Sequence, residues 1–302
     1  MRLSRLGRRP IAVVLVAAVA IAFSGILYRV ADVSPSTGAF FRCLWALPPL
    51  WLLARMEDRL HGPRSARARR LAWLAGTFFA ADLVLWHHAI EQVGAGLATV
   101  LGNTQVVLVG VLAWLLLRER PDMSSVAAIP VVGVGVVLIS GVLERGAYGE
   151  NPPLGALLGV LTGIAYAIFL IALREGSRDL RRVAGPLFDA TLASAVGCAV
   201  AGFVGGDLDL APSLESTAWL VALALSSQVF GWLLISVSLP RLPAALTSVL
   251  LTFQPLCAVL FAWAILDESP TAVQLGGAAC ILAGLVVASV GRRRAQPEPA
   301  VA

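Results

Sequence analysis

Apolar runs follow one another along almost the whole chain, separated by short polar stretches. Ten can be drawn, at about 11–29, 37–54, 71–90, 94–117, 124–142, 153–173, 184–204, 217–239, 243–266 and 272–290. Each is close to the roughly 20 residues with which a helix crosses the hydrocarbon of a bilayer. The pattern predicts an all-α polytopic membrane protein with ten transmembrane helices. Two joints are tight, at 91–93 and at 240–243, and each is followed by Gly or Ala positions that let helices approach closely. The first run sits behind arginines, as the core of a signal peptide would. It passes straight into Arg29 without a small-residue cleavage site, so it reads as a first helix.

Composition narrows the class. Hydrophobic residues make up 58% of the chain and charged residues 14%, against about 25% charged in soluble domains. No stretch is left for a separate soluble domain. Every non-histidine basic residue is arginine. A glycine-rich phosphate loop ending in Gly-Lys is therefore absent, and no ATP hydrolysis is expected. Cys43, Cys198, Cys257 and Cys280 lie in apolar runs without metal or disulfide spacing, and read as small buried hydrophobes. No metal or other cofactor is expected.

The arginines orient the chain. With the N-terminus in the cytoplasm, all 23 fall on the cytoplasmic side except Arg29, Arg42 and Arg145. The longest outer loop, before the eighth run, carries Asp207, Asp209 and Glu215 and no arginine. This is the positive-inside distribution of a multi-pass cell-membrane protein, an inner-membrane protein with both termini cytoplasmic. It also argues against a nucleic-acid partner, because the charge is divided among many short loops. Membrane lipids are the expected surroundings.

One segment occurs twice. "WLLLRERP" begins at Trp114 and "WAILDESP" at Trp263, 149 positions on. The register extends from Gln105 onto Gln254, Leu97 onto Leu246, Gly135 onto Gly284 and Ser140 onto Ser289. In the orientation above, the first copy ends inside and the second outside. The halves, 11–142 and 153–290, are then inverted five-helix repeats, followed by a disordered cytoplasmic tail at 291–302. Inverted repeats are the usual basis of alternating access.

These residues carry a resemblance to a known family. The paired ends "LAWLLLRERP" and "LFAWAILDESP", the ninth-run "FQPLCAVL" with Pro255, the second-run "GAFFRCLWA" with Arg42, and the stretches "GVGVVLISG" and "AACILAGLVVAS" resemble the drug/metabolite transporter superfamily, specifically its ten-helix EamA-type members. The resemblance covers about 11–290. It implies export of amino acids, nucleosides or other small metabolites, coupled in some members to protons, through a central cavity lined by helices one, three, four, six, eight and nine. The chain departs from the family at Val106, which stands where a proline would match Pro255. That departure predicts a first-half break that is weaker or is made otherwise, by Asn103 and Thr104, and marks where the halves cease to be equivalent.

Intramembrane charge is costly and singles out candidate residues. Asp82 lies at mid-depth of the third run, with His87 and His88 toward its outer end. A buried carboxylate and a histidine on one wet path suit proton coupling. The competing reading is a carboxylate hydrogen-bonded to a neighbouring helix. Arg42 could attract an anionic substrate group, and an ion pair within the protein is the favoured alternative. Arg29 either attracts such a group, forms an outer gate with an acid, or snorkels. Asp189 is expected to pair with Arg181 and Arg182. Polar residues gather at matched places: Asn103, Thr104 and Gln105; Ser226, Ser227 and Gln228; Thr252 and Gln254 beside Pro255, whose ring frees a helix carbonyl. Trp86, Tyr166, Phe169, Phe230 and Trp232 offer aromatic contact. Glu119 and Glu268 read as structural anchors of helix ends. Trp114 and Trp263 read as belt or helix-contact residues.

The leading expectation is a secondary transporter, not an enzyme. It takes a small-molecule substrate, with the proton as coupling ion, and works by efflux. The alternative is a membrane-embedded structural or enzymatic protein. Three histidines give no compact nucleophile or metal set for the latter. The small-residue faces of the fifth and tenth runs suit contact within the bundle or across a homodimer.

Overall fold

A computed structural model describes residues 10–117, 123–177, 179, 181–238 and 250–295. The described residues are helical apart from turns and short loops. In chain order the helices are α1 (Pro10–Ala31), α2 (Pro35–Leu44), α3 (Leu47–His61), α4 (Ala66–Val93), α5 (Ala95–Gly102), α6 (Gln105–Leu117), α7 (Met123–Ile139), α8 (Pro152–Gly176), α9 (Ala184–Gly205), α10 (Leu214–Leu223), α11 (Trp232–Ser238), α12 (Phe253–Leu266) and α13 (Ala272–Ala295). A π-helical segment, Ala224–Gly231, joins α10 to α11. Helix is found in each of the ten predicted stretches. Six helical stretches are long and apolar enough to cross a membrane: Ile11–Ala31, Pro35–His61, Pro152–Gly176, Ala184–Gly205, Leu214–Val237 and Ala272–Ser289. The chain is an all-α polytopic membrane protein.

The helix starts follow local chemistry. Pro35 and Pro152 stand at first turns, where a missing N–H costs nothing. Ser65, Asn151 and Ser213 accept hydrogen bonds from the N–H groups of Ala68, Leu154 and Ser216. Three further starts are capped from a distance. Glu57, near the end of α3, accepts from the N–H groups of Val183, Ala184 and Gly185 at 2.9, 2.8 and 2.8 Å, where α9 begins. Asp207, just beyond the end of α9, accepts from the Ser36 N–H at 3.1 Å, where α2 begins. Glu268, just beyond α12, accepts from the Ala95 and Gly96 N–H groups at 2.6 and 3.1 Å, where α5 begins. Ser36 and Gly185 are 149 positions apart, the spacing of the sequence repeat. The Glu57 and Asp207 caps lie at opposite ends of α9, a helix roughly 33 Å long.

Helix contacts follow the same shift. α1 lies against the Leu214–Ser238 stretch and α12, whereas α8 lies against α4, α5 and α6. α7 and α13 form a tight crossing. A Cβ at Gly135 would come within 2.6 Å of the Gly277 carbonyl and 2.7 Å of Ile281. A Cβ at Gly284, the counterpart of Gly135, would come within 2.6 Å of Val132 and 3.5 Å of the Ala128 carbonyl. Ala128 and Val132 are the counterparts of Gly277 and Ile281. The small faces of the fifth and tenth runs thus meet each other inside the bundle.

Glu57→Ala leaves three N–H groups without an acceptor, and should cost about 2 kcal/mol. Asp207→Ala removes one such bond and should cost about half as much. Thermal unfolding in detergent checks both, and an unchanged midpoint for Glu57→Ala would remove the cap from the account of stability.

Candidate functional site

The fourth predicted run is broken at Asn103–Thr104, between α5 and α6, and the ninth turns at Thr252, just before α12. Asn103 and Thr252 are 149 positions apart. The breaks therefore match in position although Val106 stands opposite Pro255, and the first is made otherwise, at Asn103 and Thr104, as expected. The two breaks are made by different means. Asn103 Nδ2 donates to the Thr99 carbonyl at 2.8 Å, and Thr104 Oγ1 to the Leu101 carbonyl at 2.7 Å, so side chains engage carbonyls at the break. In the second half, Pro255 sits in the first turn of α12 and removes a donor.

Between the breaks lies a central cavity of ≈ 60 Å³. Its charged wall is formed by Arg42 on α2 and Asp82 on α4, both more than nine-tenths buried. Arg42 donates from Nε to Gln228 Oε1 and from Nη2 to Ser227 Oγ, each at 3.2 Å. Its guanidinium carbon lies 5.7 Å from the centre of the Trp86 ring, a cation–π contact. Gln228 Nε2 in turn donates to Thr191 Oγ1 at 3.2 Å. Gln228 and Ser227 belong to the π-helical segment, whose extra residue per turn changes the direction of its side chains. The expected ion pair of Arg42 is not formed: among the described residues no carboxylate lies within 4.0 Å of it. The neutral amide and hydroxyl orient the guanidinium without cancelling its charge.

Asp82 faces the same cavity and has neither a hydrogen bond nor an ion pair among the described residues. The competing expectation, a carboxylate tied to a neighbouring helix, is not met. Tyr166, Trp232, Asn103 and Gln254 also line the cavity, as expected. Phe79, Tyr166 and Trp232 form an aromatic wall, and Phe169 stacks behind it, 4.4 Å from Phe79 and 5.7 Å from Tyr166, with Trp232 edge-on to all three.

Other expected residues lie elsewhere. His87 is fully buried behind the cavity: its Nδ1 faces the Leu83 carbonyl at 2.6 Å and its ring meets Tyr28 edge-on at 4.3 Å. Its Nε2 has no partner. The anticipated Asp82–His87 path is therefore not lined by His87. His88 faces outward, with Nε2 3.8 Å from Asp207. Gln105 is buried beyond the break, and Pro255 lies one position past Gln254. Phe230 is 48% exposed on the bundle exterior, because the π segment turns it away from Gln228. Trp263, 65% exposed, fits the belt reading. Glu119 lies outside the described residues, as does the side chain of Trp114.

Two charges have partners that linear proximity did not suggest. Asp189 pairs with Arg64 at 2.6 Å and Arg69 at 3.8 Å, not with Arg181 and Arg182. Those two bind Asp179, and Arg182 also binds Asp58 at 3.2 Å. Arg29 pairs with Glu91 at 3.3 Å, and Glu91 also accepts from the Tyr28 hydroxyl. Sequence reading missed Ser24, Thr99 and Thr162 in the cavity wall. A hydroxyl followed by glycine, Ser24–Gly25 and Thr162–Gly163, was the available signal. Thr162 Oγ1 is buried without a partner.

Glu268 is 3% exposed. Burial raises its carboxyl above the ordinary carboxylate value, against the opposing pull of the Ala95 and Gly96 N–H groups. A raised folded-state value means that its contribution to stability is full below the unfolded value, near 4.5, and is lost as pH rises through the folded one. Melting profiles recorded upward from about pH 4 should show this decline, and Glu268→Gln should flatten it. Identical slopes for the two proteins would remove Glu268 from the pH response.

Comparison with known proteins adds to this geometry. A model of the EamA-like transporter family matches the chain twice, over residues 8–141 and 153–290. The uncharacterized transporter YetK of Bacillus subtilis is 23% identical over 204 residues, covering 67% of this chain. The match spans 62% of the length of that relative. A solved crystal structure shares the fold with a TM-score of 0.61 at 16% identity, covering 96% of this chain and 99% of the other.

Proposed function

The chain belongs to the EamA-like transporter family, and from that premise we propose that it is a secondary transporter exporting small organic metabolites, amino acids among them, in exchange for protons. The bundle is read as ten helices in two inverted five-helix repeats, 11–142 and 153–290, with both termini in the cytoplasm. Support comes from contacts that recur under the 149-residue shift: the caps at Ser36 and Gly185, the breaks at Asn103 and Thr252, and the Gly135 and Gly284 crossings.

The observation that carries the reading is a buried guanidinium and a buried carboxylate facing one cavity without neutralising each other. Arg42 supplies donors for an anionic group and Trp86 a face beside it. Asp82 accepts an ammonium or a proton. A zwitterion such as an amino acid answers both charges at once. Because ammonium and proton compete for the same carboxylate, occupancy by one expels the other, which is the requirement for exchange. At its present size the cavity has room for no more than a few waters. Substrate entry therefore requires the helices around it to separate, and the breaks in the fourth and ninth runs are the places where they can bend.

Sealed vesicles containing the protein, assayed with a panel of labelled amino acids and nucleosides with and without a proton gradient, test this. Gradient-driven flux of at least one zwitterion is expected. Asp82→Asn should abolish the response to the gradient while downhill exchange persists, and Arg42→Lys should raise KM about tenfold by losing the planar fork. Equal response of Asp82→Asn and the parent to the gradient would sink the coupling role. Absence of flux for every compound in the panel would sink the carrier reading.

A further inference from the structure

A second groove lies far from the central cavity, at the arginine-rich end of the bundle where Glu57 caps α9. It has a volume of ≈ 330 Å³ and runs between α3, the start of α4 and the start of α9. Its walls carry Arg55, Arg64 and Arg69 against Asp58 and Asp189. The positive groups outnumber the negative ones, and the carboxylates are already engaged. Asp189 lies 2.6 Å from Arg64 and 3.8 Å from Arg69, and Asp58 is shared between Arg64 at 3.5 Å and Arg182 at 3.2 Å. Arg55 has no carboxylate within ion-pair distance among the described residues.

The surroundings of this groove indicate what meets it. On α3, Trp51, Leu52, Met56 and Leu60 are between 47% and 76% exposed, too much apolar surface for a water-facing helix. The Arg55 guanidinium stacks over the Trp51 ring at 5.1 Å. α4 runs back in the opposite direction and repeats the arrangement in reverse: Arg69 precedes Trp73 by four residues, as Trp51 precedes Arg55. Arg55 and Arg69 are both exposed, and so are Trp51 and Trp73. On two antiparallel helices this order places each tryptophan about one turn deeper in the membrane than its arginine. Tryptophans at the headgroup level with guanidinium groups just beyond them match the layering of a lipid leaflet, with its phosphates outside the acyl chains.

We propose that this groove is a binding site for an anionic phospholipid. The phosphodiester lies between Arg55 and Arg69, and the acyl chains descend over Trp51 and Leu52. A zwitterionic lipid offers the same phosphate but adds a trimethylammonium group, for which the engaged carboxylates leave no partner. Discrimination by headgroup charge is therefore expected. The inference rests on the membrane placement of the chain and on its side-chain geometry, and stands or falls independently of the transported substrate.

Native mass spectrometry of the purified full chain, exchanged into micelles with equal phosphatidylglycerol and phosphatidylcholine, tests the site. Phosphatidylglycerol should be retained preferentially, and the exposed double change Arg55→Gln with Arg69→Gln should lower that preference about tenfold. A matched change of Arg67→Gln with Arg70→Gln, outside the groove lining, should leave it intact. Inorganic phosphate added in excess should not displace the lipid. Equal retention of the two lipids by the parent, an undiminished preference in the Arg55/Arg69 variant, or displacement by inorganic phosphate would each overturn the proposal.

Discussion

A helix that starts inside or at the edge of a membrane leaves its first N–H groups without partners, and no water is available in the hydrocarbon to satisfy them. Much of this bundle depends on how that demand is met. Ser65, Asn151 and Ser213 answer it locally. Glu57, Asp207 and Glu268 answer it across the structure, each placing a carboxylate against the start of a helix more than a hundred residues away. A carboxylate there also complements the positive end of the helix dipole. These bonds satisfy part of that demand and fasten the two halves to each other, Glu57 and Asp207 at opposite ends of α9 and Glu268 at the start of α5.

The same economy of partners shapes the central cavity. A buried guanidinium beside a buried carboxylate would ordinarily close into an ion pair and lose its capacity to bind anything else. Here Arg42 is turned instead toward Gln228 and Ser227, neutral groups that satisfy two of its donors and leave its charge uncancelled. The π-helical segment makes this possible. It places Ser227 and Gln228 on the buried side while Phe230 turns outward. Asp82 retains free lone pairs facing the same cavity. Strain in helix regularity is thus spent at the positions where a polar ligand has to be met.

A good deal of this was legible in the chain. Among the described residues the apolar runs located the helical stretches, and the 149-residue register anticipated the matched positions of the breaks and of the Gly135 and Gly284 crossings. Asp82, Arg42, Tyr166 and Trp232 stood out because charge and large aromatics inside apolar runs need a reason, and each does line the cavity. Ser24, Thr99 and Thr162 did not stand out, because a hydroxyl in a helix can bond its own backbone anywhere. The Asp189 partner was misread for a related reason. Arg181 and Arg182 are near it along the chain, but Arg64 reaches it from a loop 125 residues away.

The sequence by itself determined the class of the protein: an all-α polytopic membrane protein in which one stretch of the chain repeats another. These follow from transfer free energies and from periodicity, which are properties of local composition. Only the tertiary structure decided which polar groups meet. Whether Arg42 finds a carboxylate or an amide depends on the rotation and register of α2 against the Leu214–Ser238 stretch, 186 residues apart at the contact. Register of that kind is set by the close fit of many small side chains acting together, and no single residue along the chain records it.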